Sequence, residues 1–273
     1  MFYKPRKESG ISAAFTIAEL IYHSIARKIR KTHSHAVMSI VVNLLQMVIF
    51  VLAFYIMFSL LGLRSAAVRG DFLLYLMSGI FLYMTHSKTL GAVVGSEGPT
   101  SPMMLHAPMN TIIAILSSAL SALYIQVLSL SLILFVYYVG FKHFVIEDPA
   151  GAFGMLLLAW FAGLAIGMVL LALKPWFPTA VNMITLVYQR ANMIASGKMF
   201  LANSLPTFML NMFDWNPLFH CIDQARGFTF INYVPRNSSI TYPLIISLSF
   251  LMIGLMGEFY ARKNTSISLS ARR

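Results

Sequence analysis

Residues 197–235 read GKMFLANSLPTFMLNMFDWNPLFHCIDQARGFTFINYVP, and they decide how the rest of the chain is interpreted. The stretch is too apolar for a solvated loop, yet Pro206 and Pro217 interrupt it. A helix needs about 20 predominantly apolar residues to cross a bilayer, and the piece Met199–Met212 is shorter than that. Irregular backbone at membrane depth occurs only where protein or a water-filled cavity covers it. We therefore predict a re-entrant segment that enters the membrane and returns.

The second part of this stretch carries the signals of a short helix. Asn216 is a favourable N-cap residue, and Pro217 suits the first helical position because a backbone N–H there would be unpaired anyway. Gly227 is a typical C-terminal stop. The sequence predicts a helix Pro217–Arg226 that lies across the membrane surface. Chain folded in this way at a bilayer face is expected to close a pathway on the outer side.

The composition defines the class of protein. Of the 273 residues, 58% are hydrophobic and only 11% are charged, and the mean hydropathy is +0.75. These values exclude an ordinary soluble domain, and we predict an all-α integral membrane protein. The net charge of +11 is better explained by basic residues at the cytoplasmic membrane face than by nucleic-acid binding. A single cysteine, Cys221, excludes an intrachain disulfide framework.

Residues 1–35 are expected to lack a signal peptide and to contain an amphipathic helix. Between Ile11 and Lys31, apolar residues recur on one helix face and the opposite face is charged. The basic residues Arg27, Lys28, Arg30 and Lys31 suit an anionic leaflet. We expect this helix to lie on the cytoplasmic surface. Packing on a partner protein is the alternative, and both can hold.

Six apolar segments long enough to cross a membrane follow. The predicted spans are Ala36–Leu63, Phe72–Val94, Thr111–Val139, Ala150–Leu173, Pro178–Met199 and Ile240–Glu258. We interpret residues 1–273 as one transmembrane domain, with an interface helix in 1–35, spans 1–5 in 36–199, a gate region in 200–237, span 6 in 238–260 and a tail in 261–273. Because most Lys and Arg residues fall on one side of these spans, both termini are expected in the cytoplasm.

Catalytic and energy-coupling motifs are missing from the sequence. It contains no phosphate-binding G-x-x-x-x-G-K-[ST] loop, no H-E-x-x-H, no G-x-S-x-G and no cysteine pair. The carboxylates map to loops or span ends, whereas ion-driven carriers commonly keep one inside the bundle. The energy for uphill transport would therefore come from another chain. An intramembrane glycosyl- or acyltransferase is an alternative, for which Asp214, His220 and Asp223 would supply the clustered groups.

Span 5 carries a polar stripe along one helix face. The stripe consists of Asn182, Thr185, Gln189, Asn192 and Ser196, at alternating spacings of three and four residues. Such residues either line a pathway or bond to neighbouring helices, and the sequence leaves both interpretations open. Arg190 points away from the stripe. Because a charge within a membrane span is costly, we interpret it as functional, and a structural ion pair or snorkelling to the interface is the alternative.

Further residues are candidates for the same pathway. Asn43 and Gln46 share a face of span 1, and Lys198 lies near the outer end of span 5. Tyr75 and Tyr83 belong to a dense set of aromatic residues. Interfacial belts explain most of this set, but aromatic faces also stack on sugar rings. A glycan is therefore a suitable substrate.

The layout resembles the membrane subunit of ABC exporters for surface polysaccharides, closest to the capsular polysaccharide export permeases. The matching elements are the basic surface helix, the six spans, the inner connection SEGPTSPMMLHAPM at 96–109 and the element WNPLFHCIDQARGF at 215–228. The matching residues are Trp215, Asn216, Pro217, Leu218, Arg226 and Gly227, with Pro102 and Pro108.

This resemblance implies a homodimeric permease in the bacterial inner membrane, with two copies of a separate ATPase on its cytoplasmic side. The ATPase would bind ATP and Mg²⁺, while this chain would hold no cofactor or metal and contact no nucleic acid. The substrate would be a lipid-linked polysaccharide, passed to a periplasmic or outer-membrane export partner. An exporter of the same architecture for a drug, haem or simple lipid is the alternative.

The resemblance also assigns roles to residues. The outer gate would comprise Phe200, Asn203, Pro206, Trp215, Asn216, Pro217, Phe219 and Arg226. ATPase docking would involve Arg27, Arg30, Lys31, Glu97, Pro102, His106 and Pro108. The transport path, which the residue patterns above indicate, would use Asn182, Thr185, Gln189, Arg190, Asn192, Ser196 and Lys198 of span 5, with Asn43, Gln46, Tyr75 and Tyr83.

Overall fold

The computed structural model describes residues 18–25, 36–62, 71–97 and 111–270. Within these ranges the chain is all-helical, as predicted. The helices are α1 (Ala36–Leu60), α2 (Phe72–Val94), α3 (Thr111–Gly140), α4 (Pro149–Leu173), α5 (Pro178–Ala195), α6 (Thr207–Phe213), α7 (Pro217–Thr229) and α8 (Thr241–Ser270), with a 3₁₀ turn at Ala202–Ser204. Residues 18–25 are helical too, and the rest of the predicted amphipathic helix lies outside the described residues.

Among the described helices, four are long and apolar enough to cross a membrane: α1, α3, α4 and α8. They coincide with predicted spans 1, 3, 4 and 6. The helices α2 and α5 occupy the positions of spans 2 and 5 but do not join this group, so the six-span arrangement stays a prediction. The polar residues of α2 and α5 are the reason that these two helices are not apolar enough to belong to this group. The helix α2 carries buried Thr85, His86, Ser87 and Thr89, and α5 carries the polar stripe.

The helix α2 lies at the centre of the bundle. It contacts α1, α3, α4, α5 and α7, and most of its side chains are buried, so its polar residues face protein rather than lipid. Gly163 allows α4 to approach closely, because a Cβ there would come within 2.5 Å of the His86 carbonyl oxygen. His86 also bridges two neighbours, with Nδ1 3.0 Å from the Ala159 carbonyl of α4 and Nε2 3.1 Å from the Tyr188 hydroxyl of α5.

The helix α5 ends earlier than the sequence predicts. Span 5 is predicted to continue to Met199, whereas the helix ends at Ala195 and Ser196 follows as its C-cap. Gly197 then adopts φ +73°, a left-handed conformation that a side chain would strain. A Cβ on Gly197 would also lie 2.7 Å from the Phe219 ring. The predicted end is therefore wrong, because a glycine turns the chain here.

The helix α7 begins as predicted but ends later. Asn216 caps it by accepting a hydrogen bond from a first-turn N–H at 3.1 Å, and Pro217 occupies the first turn. Gly227 is not the stop, since the helix continues to Thr229. Instead, the missing side chain lets Pro235 pack within 2.7 Å of where a Cβ would be. Most of α7 is buried against α2, α4 and α8, and its position across the membrane surface stays a prediction.

Candidate functional site

The chain leaves α5 through a turn, residues 197–200, that one arginine of α7 holds in place. Arg226 is 1% exposed. Its Nη1 donates to the carbonyls of Gly197 at 2.9 Å and Phe200 at 2.6 Å, and its Nη2 donates to that of Lys198 at 2.7 Å. The guanidinium also lies over the Tyr75 ring, 4.3 Å from its centroid. Buried carbonyls that leave a helix need donors, and Arg226 satisfies all three.

This turn lies level with the middle of α2. A Cβ on Gly79 would come within 2.9 Å of the Lys198 Cα and carbonyl oxygen, and the Lys198 Nζ is 3.8 Å from the Tyr83 ring centroid. Tyr83 is the central residue of α2, so about 16 Å of helix separate it from either end. The turn that ends α5 therefore packs against the middle of α2.

Lys198 is a buried cation enclosed by aromatic rings. It is 1% exposed, and its Nζ lies 4.8 Å from the Phe50 centroid and 4.9 Å from the Phe54 centroid, besides Tyr83. Within the described ranges no hydrogen-bond acceptor reaches this ammonium. The negative faces of the rings offset part of the hydration that it loses. Because the rings belong to α1 and α2, Lys198 joins the turn to both helices.

Asn216 links the start of α7 to the end of α5. Its Nδ2 donates to Asn192 Oδ1 at 2.7 Å and to the Ala195 carbonyl at 3.0 Å, while its Oδ1 caps α7. The amide therefore pairs an orphan carbonyl at one helix end and an orphan N–H at the next. Arg226 and Asn216 together fasten both ends of α7 to the broken end of α5.

The polar stripe of α5 faces the protein over most of its length. Gln189 donates to the Ser87 carbonyl of α2 at 2.9 Å, and Asn192 accepts from α7. The buried members are Thr185, Asn192 and Ser196, Gln189 is half-buried, and Asn182 is exposed. Of the two interpretations that the sequence leaves open, helix–helix hydrogen bonding is the one that these contacts support.

Arg190 lies on the uncovered face of α5. The residue is exposed, and apolar neighbours on the same helix are exposed with it, including Met183 at 63% and Val187 at 66%. Tyr83 is buried behind this helix and donates its hydroxyl to the Gln189 carbonyl at 3.1 Å. A charge on an otherwise apolar face is costly against lipid chains. This face therefore suits a second chain or a water-filled path.

The predicted gate residues divide into a buried anchor and an exposed edge. The helix α6 buries none of its residues, and Phe208 and Trp215 are 68% and 61% exposed. Asn203, also exposed, donates to the Val234 carbonyl at 2.8 Å. Of the remaining predicted gate residues, Pro206 is exposed, Phe200 half-buried, and Asn216, Pro217, Phe219 and Arg226 buried. We call α6 with Trp215 the α6 edge.

His220 and Asp223 make structural hydrogen bonds. His220 Nε2 donates to the Asp214 carbonyl at 2.5 Å, and its Nδ1 accepts from the Ser239 N–H at 3.1 Å. Asp223 accepts from the hydroxyl of Tyr233 and from a serine in the following loop. Burial, and then the Asp223 carboxylate, raise the pKa of Tyr233, so its hydroxyl stays protonated and donates. The part of the chain that the structure describes contains no group of three metal-ligating side chains.

A polar cluster joins α1, α2 and α3. Asn43 Nδ2 donates to Ser129 Oγ at 2.9 Å, and its Oδ1 accepts from Gln126 Nε2 at 3.0 Å. Gln46 Oε1 accepts from Lys88 Nζ at 2.6 Å. The sequence pattern selects Asn43 and Gln46 but not their partners. The sequence could have indicated Gln126 as one of these partners, because an amide inside a long apolar helix requires a hydrogen-bond partner.

Most of the predicted ATPase-docking residues fall outside the described ranges. These are Arg27, Arg30, Lys31, Pro102, His106 and Pro108. Glu97 is described and lies half-buried just beyond the end of α2. The docking surface therefore stays a prediction.

Fold and site together define a helical membrane protein in which a broken helix and a short buried helix are clamped at the centre of the bundle. No protein-family model matches the chain. The chain is similar to two Escherichia coli proteins, both named polysialic acid transport protein KpsM. It is 23% identical to one over 189 residues and 24% identical to the other over 193 residues, in each case 68% of this chain and 71% of the relative. The expected resemblance to polysaccharide export permeases is confirmed. Both relatives are transport proteins, in agreement with the prediction of a transport subunit rather than an enzyme.

Proposed function

We propose that this chain is the permease subunit of an ATP-driven exporter that moves a lipid-linked surface polysaccharide across the bacterial inner membrane. The observation that carries the proposal is the similarity to KpsM over about two thirds of both chains. The relatives are named for polysialic acid, a glycan whose sugar residues carry carboxylates. An acidic capsular or other surface glycan is therefore the substrate class that we assign.

The break after α5 supports a role in transport. Transporters place discontinuous helices at mid-membrane, where irregular backbone is tolerated if protein groups satisfy it. Arg226 provides that satisfaction for the turn, so α7 acts as the fixed anchor. The α6 edge has no buried side chain in α6. Its contacts with the anchor include the Phe213 ring on Phe200 and the Trp215 carbonyl that accepts from the Tyr242 hydroxyl, and movement of the edge would break them. In the proposed exporter, the α6 edge opens and closes the outer exit.

The uncovered faces support a second copy of the chain. Arg190 and its apolar neighbours on α5, and Phe208 on α6, are exposed in the single chain. A homodimer covers both faces and encloses a path lined in part by polar and charged groups. Two ATPase subunits bind ATP and Mg²⁺ on the cytoplasmic side, because this sequence has no phosphate-binding loop. The helix that the sequence predicts at Ile11–Lys31 and the connection at 96–109 are the docking surface that we propose for them.

Deletion of the gene tests this function directly. In the proposed exporter, the mutant still synthesises its surface polysaccharide but retains it in the cytoplasm, and a plasmid copy restores surface display. Cell fractionation with an anti-glycan or lectin assay measures both pools. Loss of glycan synthesis itself would favour the intramembrane transferase. Normal surface glycan combined with altered drug, haem or lipid export would favour a different substrate, and either result contradicts the proposal.

A further inference from the structure

The polar cluster of α1, α2 and α3 borders a cavity of about 350 Å³, here called the α1–α3 cavity. Its polar lining consists of Ser39, Asn43, Gln46, Lys88, Ser121 and Gln126. The volume falls within the range of about 300–1,000 Å³ that is typical of small-molecule sites. The α2 lining extends from Lys88 to Gly95, so the cavity reaches about 10 Å inward from the end of that helix.

The charge of this lining is entirely positive. Lys88 is exposed, and no described acidic residue lines the cavity. A lysine near the end of a span ordinarily extends to interfacial water, but this one is held against α1 by the 2.6 Å hydrogen bond to Gln46 Oε1. An ammonium group has three donors, so two remain for a ligand. An anion is therefore the ligand that Lys88 favours.

The neutral lining supplies complementary groups. Gln126 is 2% exposed, and its Nε2 donates to Asn43. Its Oε1 is buried without a hydrogen-bond partner among the described residues, which is an unfavourable state that a ligand hydroxyl would relieve. Ala92 and Ile125 add apolar surface on the walls. A cation, a free amide acceptor and a small apolar wall fit a hydroxylated ring that carries an oxyanion.

We propose that the α1–α3 cavity binds one acidic sugar residue of the exported glycan. The carboxylate or phosphate of that sugar contacts Lys88 Nζ, and a C–H face of the ring lies on Ala92. A sugar hydroxyl donates to Gln126 Oε1 once that buried amide rotates toward the cavity. The predicted topology puts this end of α2 on the cytoplasmic side, where the substrate enters. The inference rests on the proposed function and adds the site at which an acidic sugar of the glycan is recognised.

Binding to the purified protein tests the site. The full chain in phosphatidylcholine nanodiscs is titrated calorimetrically with short oligomers of N-acetylneuraminic acid, of galacturonic acid and of glycerol phosphate, and with neutral N-acetylglucosamine oligomers. At least one acidic probe should bind more tightly than the neutral one, and Lys88→Gln should weaken it by about tenfold or more. Lys142→Gln is the control, because that amine pairs with Asp71 at 3.9 Å and does not line the cavity.

Two further variants separate charge from folding. Lys88→Arg keeps a cation and should retain most of the binding, whereas Ala92→Phe keeps Lys88 but fills the cavity and should abolish it. The assignment is overturned if acidic and neutral probes bind equally, if no acidic probe binds, or if Ala92→Phe binds normally. It is also overturned if phosphatidylglycerol in the nanodisc competes through Lys88 with every probe, because the ligand is then a lipid headgroup.

Export in cells distinguishes failure of this inference from failure of the function. If the wild-type chain exports a polysaccharide and Lys88→Gln exports it equally at equal membrane level, the cavity assignment is wrong and the exporter stands. If the wild-type chain exports no polysaccharide, the proposed function is wrong. Reduced export by Lys88→Gln, with Lys142→Gln at the wild-type rate, supports both.

Discussion

At Arg226 the shape of the cation matters more than its charge. Three carbonyls are bound at 2.6–2.9 Å by the two terminal nitrogens of one planar group. Lysine offers its donors from a single nitrogen on a flexible stem. Arg226→Lys should therefore leave buried carbonyls unpaired, at a cost of about 1–3 kcal/mol for each. We expect a lower melting temperature of the detergent-solubilised protein and a lower yield in the membrane.

The matched control is Arg236→Lys, in the exposed loop after α7. Its melting temperature should equal that of the wild type, because its side chain makes no comparable buried contacts. If Arg226→Lys melts at the wild-type temperature as well, another donor satisfies the turn and the arginine clamp is not required.

Substitution of Arg190 tests whether an anionic substrate passes along the uncovered face of α5. Arg190→Ala should lower export at normal protein level, because a cation near the path attracts negative groups. Arg190→Lys should retain part of it, since no fork geometry is needed there. Lys142→Ala, which removes an exposed cation outside α5, should export normally. Surface glycan is measured against the amount of chain in the membrane. If Arg190→Ala is absent from the membrane, the arginine is structural and this prediction is wrong.

At the scale of elements, local signals were sufficient only where short-range contacts decide the structure. The start of α7 follows from Asn216 and Pro217, which act within one helical turn. Its end and its burial depend on Pro235 and on α2 and α4, which the local pattern does not show. The same holds for Lys198, whose rings come from two other helices. The bounds of α2 are those of predicted span 2, but its buried polar residues keep it out of the group of helices that are apolar enough to cross a membrane.

Close packing of the turn on α2 predicts the effect of a single methyl group. In Gly79→Ala the new Cβ would lie 2.9 Å from the Lys198 Cα and carbonyl oxygen and from Arg226 Nη2. Backbone atoms on the far side have to shift, so overpacking should lower stability by about 1–3 kcal/mol. Melting of the purified protein measures the change.

Gly154→Ala in α4 is the control for that substitution. Nothing lies within 4 Å of its added Cβ, and alanine favours a helix over glycine by about 0.5–1 kcal/mol, so its melting temperature should be equal or slightly higher. If Gly79→Ala behaves like Gly154→Ala, the turn does not rest tightly on α2 and the clamped break is misplaced.

At the scale of the whole molecule, the basic N-terminal residues predict where the ATPase is coupled to the permease. Replacing Arg27, Lys28, Arg30 and Lys31 by Gln should weaken association with the ATPase or with the anionic membrane surface, because each cation contributes about 1 kcal/mol there. Co-purification of the ATPase and export are the measurements. A variant with Arg262 and Lys263 replaced, at the other end of the chain, is the control. Unchanged association and export would remove this helix from the coupling mechanism.

The α6 edge predicts where two copies meet above the exit. A two-fold axis brings a residue next to its own copy only where that residue lies close to the axis. In the proposed dimer the α6 edge lies there, and Phe208 is a large exposed apolar side chain that the partner would cover. Phe208→Cys, with Cys221→Ala to remove the buried native thiol, should therefore form an inter-chain disulfide under mild oxidation. Val145→Cys lies in the loop before α4 and is 85% exposed, and as the control it should stay monomeric on a non-reducing gel.

Locking this edge should also stop transport. If α6 must separate from its partner to let the glycan out, the oxidised Phe208→Cys protein should retain glycan inside the cell. Reduction should restore export without new protein synthesis. A cross-linked protein that exports at the wild-type rate would show that the edge is a fixed dimer contact and not a gate. If a verified dimer gives no cross-link, the two edges lie apart and the exit must form elsewhere, on the α5 face that carries Arg190.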